Sequence, residues 1–153
     1  MPDTPGTKII VSNRRARYEY EILNTLEAGL VLQGTEVKSL REGKANLQDA
    51  FASFYAGELW LHNLHISPYT SGNRYNHDPL RQRKLLLHRR EMGKLIGQVE
   101  QKGLTLVPLD LHFRGGVAKV TLALVRGKKL HDKRDAVKKR DAEREMARDP
   151  KDA

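Results

Sequence analysis

The stretch from residue 26 to residue 54, LEAGLVLQGTEVKSLREGKANLQDAFASF, predicts a short helix set between two strands. Leu30-Val31-Leu32 is short and contains a β-branched residue, which favours a strand. Thr35 suits the N-cap of the helix that follows, and Glu36 at the first helical position suits the helix dipole. Gly43 is the residue type that commonly ends a helix, and a second strand is expected after it.

The faces of this helix, expected over residues 35–42, differ in chemistry. Val37 and Leu40 are three residues apart and predict an inward face, whereas Lys38 and Arg41 predict an outward one. A pair of outward cations fits a solvated helix surface, and it also fits a charge presented to a partner. The pair alone leaves both interpretations open.

The charge balance limits the classes of partner. The chain has 153 residues, the size of one domain, and its 28 Lys+Arg against 19 Asp+Glu give a formal charge of +9. This excess of positive charge favours nucleic acid as the partner, and favours an anionic membrane surface less. The absence of cysteine excludes disulfides, thiolate zinc sites and a cysteine nucleophile. The apolar runs are shorter than the ~20 residues of a membrane helix, and the first residues lack a secretory pattern, so a cytoplasmic location is expected.

Strand patterns outnumber helical patterns along the rest of the chain. Alternation predicts a half-buried strand over residues 18–22, and the helical spacing of Met92, Leu95, Ile96 and Val99 predicts a helix from Leu85 to Lys102. A strand is expected over 46–55, followed by a turn at Ala56-Gly57 and a strand over 58–66 with Trp60, Leu64 and Ile66 on one face. A surface loop is expected over 67–83. The last two expected strands cover 104–113 and 117–126 and are joined by a turn at 114–116, and the first of them is bulged or at an edge near Pro108. About six strands and two helices in this order indicate a mainly β fold, a small antiparallel barrel with helices packed against it.

The chain divides into three parts on composition. Residues 1–7 are expected to be disordered, residues 8–126 to form the barrel, and residues 127–153 to form a basic tail. On a helix, five tail cations would fall in one stripe: Lys129, Lys133, Arg140, Arg144 and Arg148. The tail has too few large apolar residues to hold a fold alone, so it is either a frayed, solvated helix or a segment that folds against a polyanion.

Three basic clusters are candidates for binding. Asn13, Arg14, Arg15, Arg17 and Tyr18 bring together amide, guanidinium and aromatic groups, a mixture that suits single-stranded or looped RNA. The second cluster contains Arg81, Arg83, Lys84, Arg89 and Arg90, and the third contains Lys119, Lys128 and Lys129. Several separated clusters on a small barrel predict a bipartite RNA-binding protein.

The sequence gives little reason to expect catalysis. The six histidines lack the spacing of a zinc site, since His62 and His65 lie on opposite faces of a predicted strand, and no metal or cofactor is expected. His77-Asp78 is either an acid/base pair or, more simply, a turn before Pro79 in which the aspartate accepts a backbone hydrogen bond. The protein is therefore expected not to be an enzyme.

Long stretches of the chain resemble the SsrA-binding protein family, also called small protein B. The similar segments are GTEVKSLREGKANLQDAF, HISPY, NHDPLRQRKLLLHRREM, KGLTLVPL and RGKKLHDKRDAVKKRDAERE, and the resemblance runs from about Asn13 to Arg148. It implies an oligonucleotide-binding-type (OB-like) barrel with two or three helices. It also implies binding to the tRNA-like domain of transfer-messenger RNA during trans-translation, the rescue of stalled ribosomes.

The resemblance also implies particular residues and partners. The positions that would hold the RNA are Asn13, Arg14, Arg15, Tyr18, Glu27, Arg41, Leu86, His88 and Lys119. The positions of the tail that would reach the ribosome are Gly127, Lys128, Lys129, His131, Asp132, Lys133, Arg134, Arg140, Arg144 and Arg148. In the family the tail is disordered when free and helical in the empty mRNA channel. The implied partners are transfer-messenger RNA, small-subunit rRNA and, in the charged complex, elongation factor Tu, and the protein is expected to be a monomer.

Two other functions fit parts of the same sequence. A basic ribosomal subunit protein would have a similar charge and a similar tail. An RNA-processing enzyme would use His77 together with Asp78 or Asp110 as acid/base groups.

Overall fold

The elements of the fold are given by a computed structural model that describes residues 6–69, 76–102 and 104–126. The strands are β1 (Thr7–Ser12), β2 (Glu21–Leu30), β3 (Ala45–Asn46), β4 (Phe51–Tyr55), β5 (Glu58–His62), β6 (His65–Ile66), β7 (Arg83–Leu86), β8 (Thr105–Arg114) and β9 (Val117–Arg126). The helices are α1 (Arg14–Glu19), α2 (Gly34–Arg41) and α3 (Arg89–Lys102).

Six strands close into an antiparallel barrel. They are hydrogen-bonded in the order β8-β4-β5-β7-β2-β9, and β9 pairs with β8 again to complete the ring. β1 lies beside the second half of β8, while β4 pairs with its first half, and β3 and β6 form a separate two-stranded sheet. Closure leaves the six strands without a free edge. The mainly β barrel expected from the sequence is confirmed.

The barrel interior is filled by aliphatic side chains from alternate strand positions. Leu59 and Leu61 of β5, Leu85 of β7 and Leu122 and Leu124 of β9 are all buried there. The next residue along each strand therefore points outward, because successive strand side chains alternate between faces. α3 adds Leu95 to the same core, with Met92 and Val99 packed against it.

The N-cap of helix α2 lies two residues earlier than expected. It is Gln33, not Thr35, because the carboxylate of Glu36 reaches back and accepts the backbone N–H of Gln33 at 2.8 Å. Glu36 is thus at the third helical position and is buried, which corrects its expected place at the first. Leu40 is buried and Arg41 is exposed, as the spacing predicted. Gly43 follows the helix with φ +70°, the backbone region that favours glycine.

The first predicted strands have different bounds. Residues Arg14–Glu19 form helix α1, because the side chain of Asn13 accepts the N–H of Ala16 at 3.1 Å and caps the turn. Only the last residues of the predicted 18–22 strand belong to β2. β2 then continues without a break through Ala28 and Gly29, and it ends at Leu30 instead of beginning there.

Two longer predicted strands are each divided. A turn over residues 47–50 separates β3 from β4, and the left-handed residue Asn63, with φ 61°, separates β5 from β6. Trp60 was placed with Leu64 and Ile66, but the core face of β5 is Leu59 and Leu61, so Trp60 lies on the outer face.

The predicted turns and the predicted bulge are present in the structure. Ala56-Gly57 and Gly115-Gly116 are turns with positive φ, and the register of β8 shifts between Pro108 and Asp110, the bulge expected near the proline. The predicted helix from Leu85 is shorter, because Leu85 and Leu86 belong to β7 and α3 begins at Arg89.

Candidate nucleic-acid interface

One outer face of the barrel brings together residues from four adjacent strands. The register pairs Leu86 of β7 with Gly29 of β2, Gly29 with Lys119 of β9, and Lys119 with His112 of β8. These residues form a row across the strands, and Glu27 lies one outward position away from Gly29 along β2. Their neighbours in sequence point into the core, so the row faces outward.

A shallow hollow of about 400 Å³ lies on this face. Its lining residues are Glu27, Gly29, Leu86, Leu87, His88, Glu91 and Lys119. Gly29 keeps it open, because a Cβ atom at that position would lie 3.2 Å from the Cβ of Leu86. Leu86 is 50% exposed although it is apolar. The sequence-predicted residues Glu27, Leu86, His88 and Lys119 are therefore brought together at one site.

Glu27 is held by a network that sequence reasoning missed. Its Oε2 atom lies 2.7 Å from Nε2 of His112 and 3.2 Å from Nε of Arg114. Nδ1 of His112 lies 2.7 Å from Oδ1 of Asp110, which also accepts the hydroxyl of Thr121 at 3.0 Å. The signal was present as polar residues at alternate positions of the predicted strand 104–113. Their partner Glu27 is 85 residues away, which no local pattern reveals.

Helix α1 lies beside this network. Ala16 packs on Val107, Leu109 and Ala123, which are on the outer side of β8 and β9. Ala123 is two residues from Thr121, so α1 covers the neighbouring part of the same face.

The predicted residues of α1 differ in accessibility. Arg14 is exposed, and Tyr18 is 73% exposed. Nε of Arg15 donates to Glu19 at 2.7 Å, and this hydrogen bond raises the pKa of Arg15. Asn13 is buried, with its amide donating to the carbonyls of Leu47 and Pro108. The structure therefore gives Asn13 a capping role, and its contact with RNA stays a prediction.

Arg41 lies in a different hollow. That hollow, of about 310 Å³, is lined by residues of β1, the end of α2 and Phe113. Arg41 is exposed there, close to Lys8 in the same lining. The two hollows are separate, so the nine predicted RNA-binding residues do not form one continuous pocket.

Two members of the second basic cluster, Arg81 and Arg83, hold the buried Glu36, which corrects their interpretation as part of a binding surface. Arg83 is fully buried, and its Nε donates to Glu36 at 2.6 Å. Arg81 donates to the other oxygen of Glu36 at 2.5 Å, and Lys84 pairs with Glu58 at 3.0 Å. The two remaining members, Arg89 and Arg90, are exposed at the start of α3.

The Glu36–Arg83 pair connects α2 to the barrel and to the preceding loop. Arg83 also donates to the carbonyls of Leu64 and, at 3.2 Å, Pro79. Burial alone would raise the pKa of Glu36, but hydrogen bonds from Arg81 and the Gln33 N–H, with the charge of Arg83, lower it below its ordinary value. Burial lowers the pKa of Arg83, and Glu36 only partly offsets this effect.

The candidate acid/base residues are engaged in structural contacts. Nε2 of His77 donates to the carbonyl of Ile66 at 2.8 Å, and Nδ1 shares a hydrogen bond with the hydroxyl of Thr35 at 2.9 Å. Asp78 accepts the N–H of Leu80 at 2.9 Å, the turn that the simpler interpretation predicted. Within the described residues, no group of three or more carboxylate and histidine side chains is arranged to hold a metal ion. No helix in that part is long and apolar enough to cross a membrane.

The predicted tail residues lie outside the described residues. They are Gly127, Lys128, Lys129, His131, Asp132, Lys133, Arg134, Arg140, Arg144 and Arg148. Residues 1–5 of the expected disordered N-terminus are outside as well, and so are residues 70–75 of the expected loop. The sequence-based predictions for these segments therefore stay predictions.

A closed antiparallel barrel with cationic, aromatic and carboxylate side chains on one outer face defines a small oligonucleotide-binding-type barrel protein. The family model described as SmpB protein matches residues 10–152. The chain belongs to the SmpB protein family, which confirms the resemblance found in the sequence.

Named relatives and a solved structure agree with this assignment. The SsrA-binding protein of Synechococcus sp. (strain JA-2-3B'a(2-13)) is 62% identical over 153 residues, which cover 99% of each chain. That of Geobacillus thermodenitrificans (strain NG80-2) is 58% identical over 97% of this chain and 95% of its own. A chain in the solved structure "tmRNA-SmpB: a journey to the center of the bacterial ribosome" is 60% identical, with a TM-score of 0.65, and the match covers 78% of this chain and 84% of that one.

Proposed function

We propose that this protein binds the tRNA-like domain of transfer-messenger RNA and delivers the RNA to stalled ribosomes. The binding surface is helix α1 together with the hollow that Glu27, Leu86, His88 and Lys119 line, which we call the Glu27 hollow. The observation that carries the proposal is the convergence of Glu27, Leu86, His88 and Lys119 on one hollow of a chain from the SmpB family. The SsrA-binding name of the relatives and the tmRNA-SmpB complex of the structural neighbour support the choice of RNA.

The chemistry of the hollow suits a folded RNA. The ammonium group of Lys119 can pair with a phosphate, and a carboxylate oxygen of Glu27 can accept from a base amino group. His88 and Tyr18 are exposed rings on which bases can stack, and Leu86 offers an apolar surface beside them. Arg41 adds a cation in the second hollow, so a curved RNA would contact two sides of the barrel end.

The tail completes the proposal. Residues 127–153 would enter the decoding centre and the empty mRNA channel of the small subunit and become helical against rRNA phosphates. The protein would act as a monomer in the cytoplasm, with elongation factor Tu on the charged RNA. It would act by binding, without a chemical step of its own.

The test separates the barrel from the tail. The full chain and a chain ending at Gly127 are titrated with transfer-messenger RNA, and both are assayed for tagging of stalled peptides in a reconstituted translation system. We expect Kd values within about threefold of each other and no tagging by the shortened chain. Loss of RNA binding on truncation would contradict the assignment of that binding to the barrel, and normal tagging would contradict the role of the tail.

A separate measurement distinguishes the ribosomal-protein alternative. After a high-salt wash, sedimentation would leave a subunit protein on vacant subunits, whereas we expect this protein to follow stalled ribosomes and one small RNA. For the enzyme alternative, incubation with the RNA is expected to give no cleavage. Cleavage that His77→Ala abolishes would overturn the non-enzymatic proposal.

A further inference from the structure

The network around Glu27 leaves one of its two carboxylate oxygens available. His112 and Arg114 both contact Oε2. Within the described residues, no group donates a hydrogen bond to Oε1. The Glu27 side chain is 31% exposed and lines the hollow. One oxygen is thus fixed to the protein, while the other remains an acceptor on the open side.

His112 is itself held on both sides. Its side chain is 4% exposed, Nε2 faces Glu27 and Nδ1 faces Asp110, each at 2.7 Å. The two carboxyl groups therefore hold the ring from both of its nitrogens and leave it one orientation. The hydroxyl of Thr121, on the neighbouring strand, donates to Asp110 and fixes the position of that carboxylate. The charged groups around the ring are Glu27 and Asp110, Arg114 on the oxygen that the ring also contacts, and Lys119, which is opposite His112 on β9.

We infer that His112 is a positioning residue that acts through Glu27, and that Asp110 and Thr121 orient it. The buried ring holds Oε2 so that Oε1 accepts from the exocyclic amino group of an adenine, cytosine or guanine, a group that uracil lacks. Lys119 is paired with His112 in the β8–β9 register, so the same strand position brings a phosphate-binding cation beside the acceptor. This inference rests on the proposed function.

The predicted effects follow from the hydrogen-bond chemistry. In Glu27→Gln, the amide oxygen can still accept from Nε2 of His112, and the atom that faces the hollow becomes an NH₂ donor. The variant keeps the packing and reverses the hydrogen-bond polarity toward the base. In His112→Gln, the carboxylate of Glu27 keeps its charge and its contact with Arg114 but loses the buried ring that fixes its orientation.

The experiment is a double-mutant cycle on transfer-messenger RNA binding with the full chain at fixed salt. We expect each single variant to weaken binding about tenfold, which is the effect expected from losing one hydrogen bond to a charged group. The double variant should bind RNA no more weakly than Glu27→Gln does. A roughly hundredfold loss in the double variant, or an unchanged Kd in His112→Gln, would overturn the inference. If the unmodified protein did not bind this RNA, the proposed function would fail instead.

Two further measurements distinguish the proposed role of His112 from a general loss of folding. In the ¹⁵N-labelled protein, Glu27→Gln should shift the ring-nitrogen resonances of His112, and unchanged resonances would overturn the inference. The matched control is His62→Gln, because β5 lies three strands from β9 in either direction around the barrel and His62 bonds to Ser53 there. We expect that control to bind RNA like the unmodified protein, and a tenfold loss in it would show that the His112 effect is not specific.

Discussion

Replacing Arg83 by methionine tests whether the second basic cluster is part of the fold. The substitution keeps an unbranched apolar stem and removes the guanidinium group. Among the described residues, the fully buried Glu36 then retains Arg81 and the Gln33 N–H as partners, and the carbonyl of Leu64 loses the Arg83 donor. Breaking a buried ion pair in this way costs about 3–5 kcal/mol. Because Arg81 still contacts Glu36, we expect about 3 kcal/mol.

The assay is urea unfolding followed by circular dichroism, together with thermal melting. For a barrel of this size, 3 kcal/mol corresponds to a fall in Tm of roughly 10 °C. The matched control is Lys84→Met in the same strand, whose ion pair with Glu58 is exposed and contributes under about 1 kcal/mol. At a temperature where Arg83→Met is folded, its affinity for RNA should stay within about twofold of the unmodified protein. Equal stability of the two variants, or a large loss of RNA affinity in folded Arg83→Met, would refute the structural role.

Other perturbations separate binding from stability. Although burial opposes it, hydrogen bonds lower the pKa of Glu36 from 4.5, so its contribution to the free energy of unfolding is complete above pH 4.5 and is lost as the pH falls further. Glu36→Gln should remove that part of the acid dependence, and an unchanged pH profile would contradict the assignment. Arg41→Ala combined with Lys119→Ala should weaken RNA binding, reduce its salt dependence and change Tm by under about 2 °C, since both residues lie on the surface. A collapse in Tm would mean that these side chains are structural. Gly29→Ala should displace Leu86 and weaken RNA binding several-fold with little change in unfolding, and unchanged affinity would show that the shape of the hollow is not needed.

The features that the sequence predicted correctly are local: each depends on the backbone properties of a single residue. Gly43 ends α2 because its left-handed backbone suits glycine, and Gly115-Gly116 turns the β8–β9 hairpin for the same reason. The bulge near Pro108 follows from the missing backbone donor. In each case, a local property of one residue fixes the conformation, so the printed sequence is sufficient.

The features that the sequence did not predict depend on distant contacts. Arg83 looks like any surface cation until the fold brings Glu36, 47 residues earlier, against it. His112 meets Glu27 across 85 residues. Trp60 was assigned to the wrong face because the break at Asn63 changes the alternation that relates it to Leu64. The RNA-binding positions came from resemblance to the family, and the fold then brought four of them to one hollow.

The most direct test of the central claim is to sequence the RNA that is crosslinked to the protein in cells. The account predicts transfer-messenger RNA as the dominant species, with crosslinks at His88, which lines the Glu27 hollow, and at the exposed Tyr18 of α1. Crosslinking mainly to rRNA of vacant subunits, or to no small structured RNA, would contradict it.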